Sequence, residues 1–166
     1  MRPAILACLS AALLAACAEI PAEPAGTTDF DAAWQRWQQA QIDVYRYEVQ
    51  VSCFCTDERS RPVIAVVANG QTVSLQYADS LTPADTVLFS DVRTIDRIFT
   101  RLRSILDQHP ALFDATYHAT LGFPETVNVD VNAQMVDEEF SYRVTNFVRL
   151  LPASPPGESS GGPRTF

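Results

Sequence analysis

Two cysteines flanking one phenylalanine, in the stretch VSCFCTDE from Val51 to Glu58, are the residues of this chain best suited to chemistry. Cys53 and Cys55 could form a disulfide, act as a redox pair, or present two thiolates to a soft metal such as Cu(I). Zinc asks for more: two further ligands at a structural site, or at least one at a catalytic site. The only histidines, His109 and His118, are far from the cysteines in sequence, and His118 reads as a surface residue on the polar face of a strand. The stretch NVDVNAQMVDEE, from Asn128 to Glu139, has the Asn, Asp, Asn and final Glu spacing of an EF-hand loop, but Ala133 stands where that loop needs Gly. Strand alternation accounts for the same pattern, with Val127, Val129 and Val131 inward and Asn128 and Asp130 outward. A Gly-rich phosphate loop, a GxSxG elbow and an HExxH pair are all absent from the sequence. No catalytic residue, cofactor or metal site is therefore assigned.

The element carrying the cysteines is a strand. From Val44 to about Phe54 the chain alternates, with Tyr45, Tyr47, Val49 and Val51 on one face and Arg46, Glu48, Gln50 and Ser52 on the other. Cys53 and Cys55 continue the first row, so in an unbroken strand both sulfurs face the core. Their Cβ atoms would then lie about 7 Å apart, against about 3.8 Å in a disulfide. A bond requires the chain to turn at Phe54, and the polar run TDERSRP supplies residues for a turn. Three states stay open: a disulfide at the strand's end, two free buried thiols, and a functional redox or copper-binding pair.

Other elements follow from periodicity. Thr28 or Asp29 is a plausible N-cap for a helix of about twelve residues carrying Phe30, Ala33, Trp34, Trp37 and Gln41 on one stripe. Two tryptophans on one face can serve as a ligand platform or pack on a sheet. A second helix runs from Val92 to Leu106, with Ile95, Ile98, Phe99, Leu102 and Ile105 on its apolar face, and ends before Pro110. Strands are expected at 62–68 and 71–77, where Asn69-Gly70 favours a type I′ hairpin, and then at 115–120, 126–131 and 138–148. The expected fold is a single α+β domain, an antiparallel sheet with two helices on one face in the order αβββ-αβββ. Two such runs also raise the idea of an internal duplication.

The ends of the chain read differently. Residues 1–16, MRPAILACLSAALLAA, have one arginine and an apolar run too short to remain as a membrane span, as a secretory leader does. Leu14-Ala15-Ala16-Cys17 resembles the bacterial lipobox, which implies cleavage before Cys17 and acylation of that cysteine. Acyl chains, at about 0.8 kcal/mol per buried methylene, anchor a protein that otherwise stays in water. Ala18, rather than Asp, follows, which favours the outer membrane. Residues 17–28 suit a flexible tether, 29–151 the folded domain, and the Pro-, Gly- and Ser-rich 152–166 a disordered tail. Net charge is −8, and losing the leader removes one arginine and no acid, so nucleic acid and anionic membrane surfaces are poor partners.

The leader and lipobox, YRYEVQVSCFC, the Asn-Gly hairpin, TIDRIFTRL and LGFPETVNVDVNAQMVDEEFSYRV together resemble a family of small bacterial secreted proteins and lipoproteins. Its members carry a domain of unknown function, with Tyr-x-Tyr before Cys-Phe-Cys and a later Gly-aromatic-Pro. The resemblance covers about Trp34 to Phe147 and implies an envelope location, without any activity. The expectation is a lipid-anchored envelope protein, facing the periplasm from the outer membrane, whose domain binds an envelope partner or supports an assembly without catalysis. Its rival is a periplasmic thiol redox or copper-handling protein that uses Cys53 and Cys55.

Overall fold

A computed structural model describes residues 27–135 and 137–151; the expected leader (1–16), the expected tail (152–166) and residues 17–26 of the expected tether, Cys17 among them, lie outside the described residues, whereas Thr27 and Thr28, expected in the tether, belong to a helix. The elements are α1 (Thr27–Ala40), β1 (Val44–Cys53), α2 (Asp57–Ser60), β2 (Val63–Ala68), β3 (Gln71–Tyr77), α3 (Ile95–Leu106), β4 (Leu112–Tyr117), β5 (Pro124–Asp130) and β6 (Phe140–Arg149). All six strands form one antiparallel sheet in the order β3-β2-β1-β6-β5-β4. The α+β class holds, but the expected αβββ-αβββ order is corrected by α2, which stands between β1 and β2. Thr56 makes that turn helical, since its Oγ1 accepts from the Arg59 amide.

Why these residues form these elements is visible at their ends. Thr94 caps α3, its Oγ1 accepting from Arg97 N at 3.1 Å, so the helix starts at Ile95 rather than Val92. Asn69 and Gly70 both have positive φ, 50° and 72°, as a type I′ turn requires. Against the expectation, β4 begins at Leu112, and β6 carries a bulge in which two residues, Asn146 and Phe147, stand opposite Tyr47. Asn146 has φ 52°, and the extra residue lets Phe147 stack on Tyr45 at 5.5 Å.

One face of the sheet is the core. Tyr45, Tyr47, Val49 and Val51 of β1 are buried with Val63, Ala65 and Val67 of β2, Val127 and Val129 of β5, and Tyr142 and Val144 of β6. Both long helices meet that face. Trp37 of α1 sits edge-on to Tyr45 at 5.3 Å, the Tyr47 hydroxyl donates to the Val92 carbonyl at 2.5 Å, and Tyr45 accepts from Ile95 N at 3.2 Å. The short α2 buries no residue. Duplication does not follow from this topology: β1 and β4, which would correspond, run in opposite directions, because alternate neighbours reverse across the six strands.

Candidate functional site

β1 stops at Cys53 and the chain bends at Phe54. The Cα atoms of Cys53 and Cys55 lie 5.3 Å apart and their sulfurs 2.03 Å, at bonding distance. Of the three states the sequence left open, this geometry is that of a disulfide at the strand's end. It also corrects the picture of two inward thiols: Cys53 is half-buried, Cys55 is exposed, and Phe54 between them is 81% exposed. A bond closing so short a loop restrains little of the unfolded chain, about 1.6 kcal/mol against about 3 for a fifteen-residue loop.

The residues after the pair are held firmly. Arg59 of α2 donates to both oxygens of Asp91, at 2.7 and 2.8 Å, and its guanidinium lies 5.1 Å from the Phe89 ring centre. Tyr142 of β6 donates to the same carboxylate at 2.8 Å. Burial, and then the Asp91 charge, pushes the Tyr142 phenol well above its ordinary range. Arg59 therefore ties the segment beyond Cys55 to both β6 and the approach to α3. Ser60 places its Oγ 3.6 Å from the Cys55 sulfur.

Register brings the rest of the site together. Cys53 pairs with Phe140, Phe140 with Val129, and Val129 with Phe113, a row across four strands at one end of the sheet. The next row, Ser52, Ser141, Asn128 and Asp114, projects from the opposite face, and beyond it come Gln50, Arg143, Thr126 and Thr116. Neither long helix covers these side chains, because α1 and α3 pack on the other face, while the Ser60 carbonyl of α2 accepts from Gln50 at 3.4 Å. On that face opens a groove of about 520 Å³ lined by Ser52, Asn128, Asp130 and Ser141 with the apolar Phe54 and Leu112, while the Phe140 ring turns to the helix side, where Arg101 lies 5.9 Å from its centre. A smaller polar hollow of about 170 Å³ shares Ser52, Asn128 and Ser141 with it. On the helix side a second hollow of about 370 Å³ is lined by Arg101, Gln108 and Glu138, and Cys53 and Phe140 border both cavities.

Other candidates do not converge on this place. His118 is half-buried, with Nδ1 accepting from the amides of Thr120 and Leu121 and its ring stacked on Phe123, while exposed His109 follows α3. The stretch from Asn128 to Glu139 is the end of β5, a turn in which Asn132 accepts from Gln134 N, and the approach to β6. Among the described residues no three His, Cys, Asp or Glu side chains gather as metal ligands. Cu(I) would need both sulfurs as thiolates, that is, the reduced pair rather than the bonded one. The tryptophans divide: Trp37 is core, and half-buried Trp34 lies tilted on Phe99 at 4.7 Å beside a small hollow with Phe30 and Arg103.

Sequence reasoning missed the groove because its walls come from four strands. Leu112 lies outside the expected strand, and Phe54 is expected as the point where the chain turns rather than as a contact surface. A signal existed in the even-numbered polar row of β1, which has to face something other than the core.

Among the described residues no helix is long and apolar enough to cross a membrane. No curated protein and no solved structure matches the chain. The match that exists is to a domain whose sequence pattern is shared without a known activity, over the whole sheet and both long helices: the chain belongs to a family of unknown function (DUF6174), whose model matches residues 29–149.

Proposed function

We propose that this protein is a lipid-anchored protein of the bacterial cell envelope whose domain binds an extended polypeptide along the open face of its sheet. The observation that carries the reading is the uncovered polar row Ser52, Ser141, Asn128 and Asp114 leading into the groove that Phe54 and Leu112 also line. Hydroxyl and amide groups satisfy a peptide main chain, while apolar walls accept alternate side chains. Phe54 and Leu112, 81% and 51% exposed, are the large apolar groups available for such contact. The lipobox-like Leu14-Ala15-Ala16-Cys17 supports an acyl anchor at Cys17, and the acidic charge favours a protein over nucleic acid.

Two experiments test the two halves. Random peptides selected on the full chain are expected to lose about tenfold or more in affinity for the Ser52→Arg variant, measured by fluorescence anisotropy. Peptides that bind wild type and variant equally place the contact elsewhere and overturn the groove. Metabolic labelling with palmitate in a bacterial host is expected to mark the wild type and spare Cys17→Ser; label retained by the variant overturns the anchor.

A further inference from the structure

The same groove carries a bond that does little as a staple and is open to attack. We infer that Cys53–Cys55 is a thiol–disulfide exchange site, with Cys55 the sulfur that receives the substrate and Cys53 the one that leaves. Cys55 is exposed, whereas Cys53 is half-buried, so Cys55 is the more open of the two to an incoming thiolate. Attack requires approach to a sulfur, and an accessible disulfide is the labile kind. Ser60 Oγ stands 3.6 Å from the Cys55 sulfur; in the bonded pair only Ser60 carries a hydrogen, which it can point at that sulfur. When Cys55 later leaves as a thiolate, that hydroxyl is in place to stabilise it.

The electrons balance within the pair and its substrate. A substrate thiolate attacks Cys55 Sγ, a mixed disulfide forms, the Cys53–Cys55 bond breaks, and Cys53 departs as a thiolate. The substrate's second thiolate then attacks its own sulfur in the mixed disulfide and releases Cys55 as a thiolate. The substrate dithiol is oxidised by two electrons to a disulfide, the protein pair is reduced by two, and the two protons the substrate gives up pass to Cys53, Cys55 or solvent. The substrate class is a polypeptide bearing two cysteines. Its placement rests on reading the groove as a peptide site; the order of the two sulfurs does not.

Single-cysteine variants of the full chain separate these points. Cys53→Ser, which leaves Cys55, is expected to form a mixed disulfide with oxidised glutathione about tenfold faster than Cys55→Ser, followed by mass spectrometry. Because either variant could fold poorly, the same order is read in reduced wild type with limiting iodoacetamide, where Cys55 is expected to be labelled first. In wild type, millimolar reduced glutathione is expected to open the bond. A bond that resists it, or a reversed order of labelling, overturns the exchange site. A disulfide-bearing peptide that reacts with Cys53→Ser faster than oxidised glutathione does, and loses that advantage when Ser52→Arg is added, supports the placement. A peptide with no advantage overturns the groove alone and leaves the sulfur order standing.

Discussion

The hydroxyls of Tyr45 and Tyr47 each meet a backbone group at the entrance to α3. Tyr47 satisfies the Val92 carbonyl and Tyr45 the Ile95 amide, one of the donors that a helix's first turn leaves without an internal partner. Tyr47 is fully buried, so no water replaces its hydroxyl when it is removed. Tyr47→Phe is therefore expected to destabilise the fold by about 1–3 kcal/mol, read as a shift in urea midpoint with an unchanged slope. The cysteine pair behaves oppositely at this scale. Replacing both Cys53 and Cys55 by Ser is expected to cost no more than about 1.6 kcal/mol in the same assay, since the closed loop is so short. A loss of several kcal/mol would make the bond a principal staple of the fold and weaken the case for exchange.

At the scale of elements, the LGFPE segment between β4 and β5 meets α1 through a glycine. Gly122 has φ 81°, and a Cβ there would lie 2.2 Å from the Ala33 carbonyl oxygen and 3.0 Å from Trp37 N. Both atoms are helix backbone and cannot rotate away. Gly122→Ala is expected to lose about 2–4 kcal/mol, combining the left-handed φ with overpacking, and to lower the thermal midpoint measured by circular dichroism. An alanine variant as stable as wild type would mean that α1 moves freely on the sheet. The periodicity of α3, the alternation of β1 and the Asn69-Gly70 hairpin were all legible, because each depends on neighbours in sequence. The start of β4 at Leu112, the bulge at Asn146 and the helical turn of α2 were not. A bulge is chosen by what Phe147 can stack on, and α2, whose turn Thr56 caps locally, is held against the domain by Arg59 finding Asp91, a residue more than thirty positions away.

Over the whole molecule, tyrosine burial sets an alkaline limit. Burial is the largest cause raising the phenols of Tyr45, Tyr47, Tyr117 and Tyr142 above their ordinary 10.0. The folded chain thus keeps protons that the unfolded chain releases. The stability this supplies is complete below about pH 10 and is lost as pH rises further. Thermal midpoints are expected to hold level up to that pH and then fall, with tyrosinate absorbance appearing together with unfolding. Tyrosinate forming in the folded chain at its ordinary pH would show that these rings reach solvent.

What the amino-acid sequence determined by itself is the set of local facts: the α+β class, the hairpin, the faces of α3 and β1, and the requirement that the chain turn at Phe54 if Cys53 and Cys55 are to bond. The proposed anchor at Cys17 lies outside the described residues. Tertiary structure decided that the turn occurs, that Cys55 rather than Cys53 is exposed, and that Ser52, Ser141, Asn128 and Asp114 share one uncovered row. The physical reason is range. Helical and strand periods are set by residues a few positions apart, whereas the groove exists only because antiparallel register aligns four strands drawn from both halves of the chain.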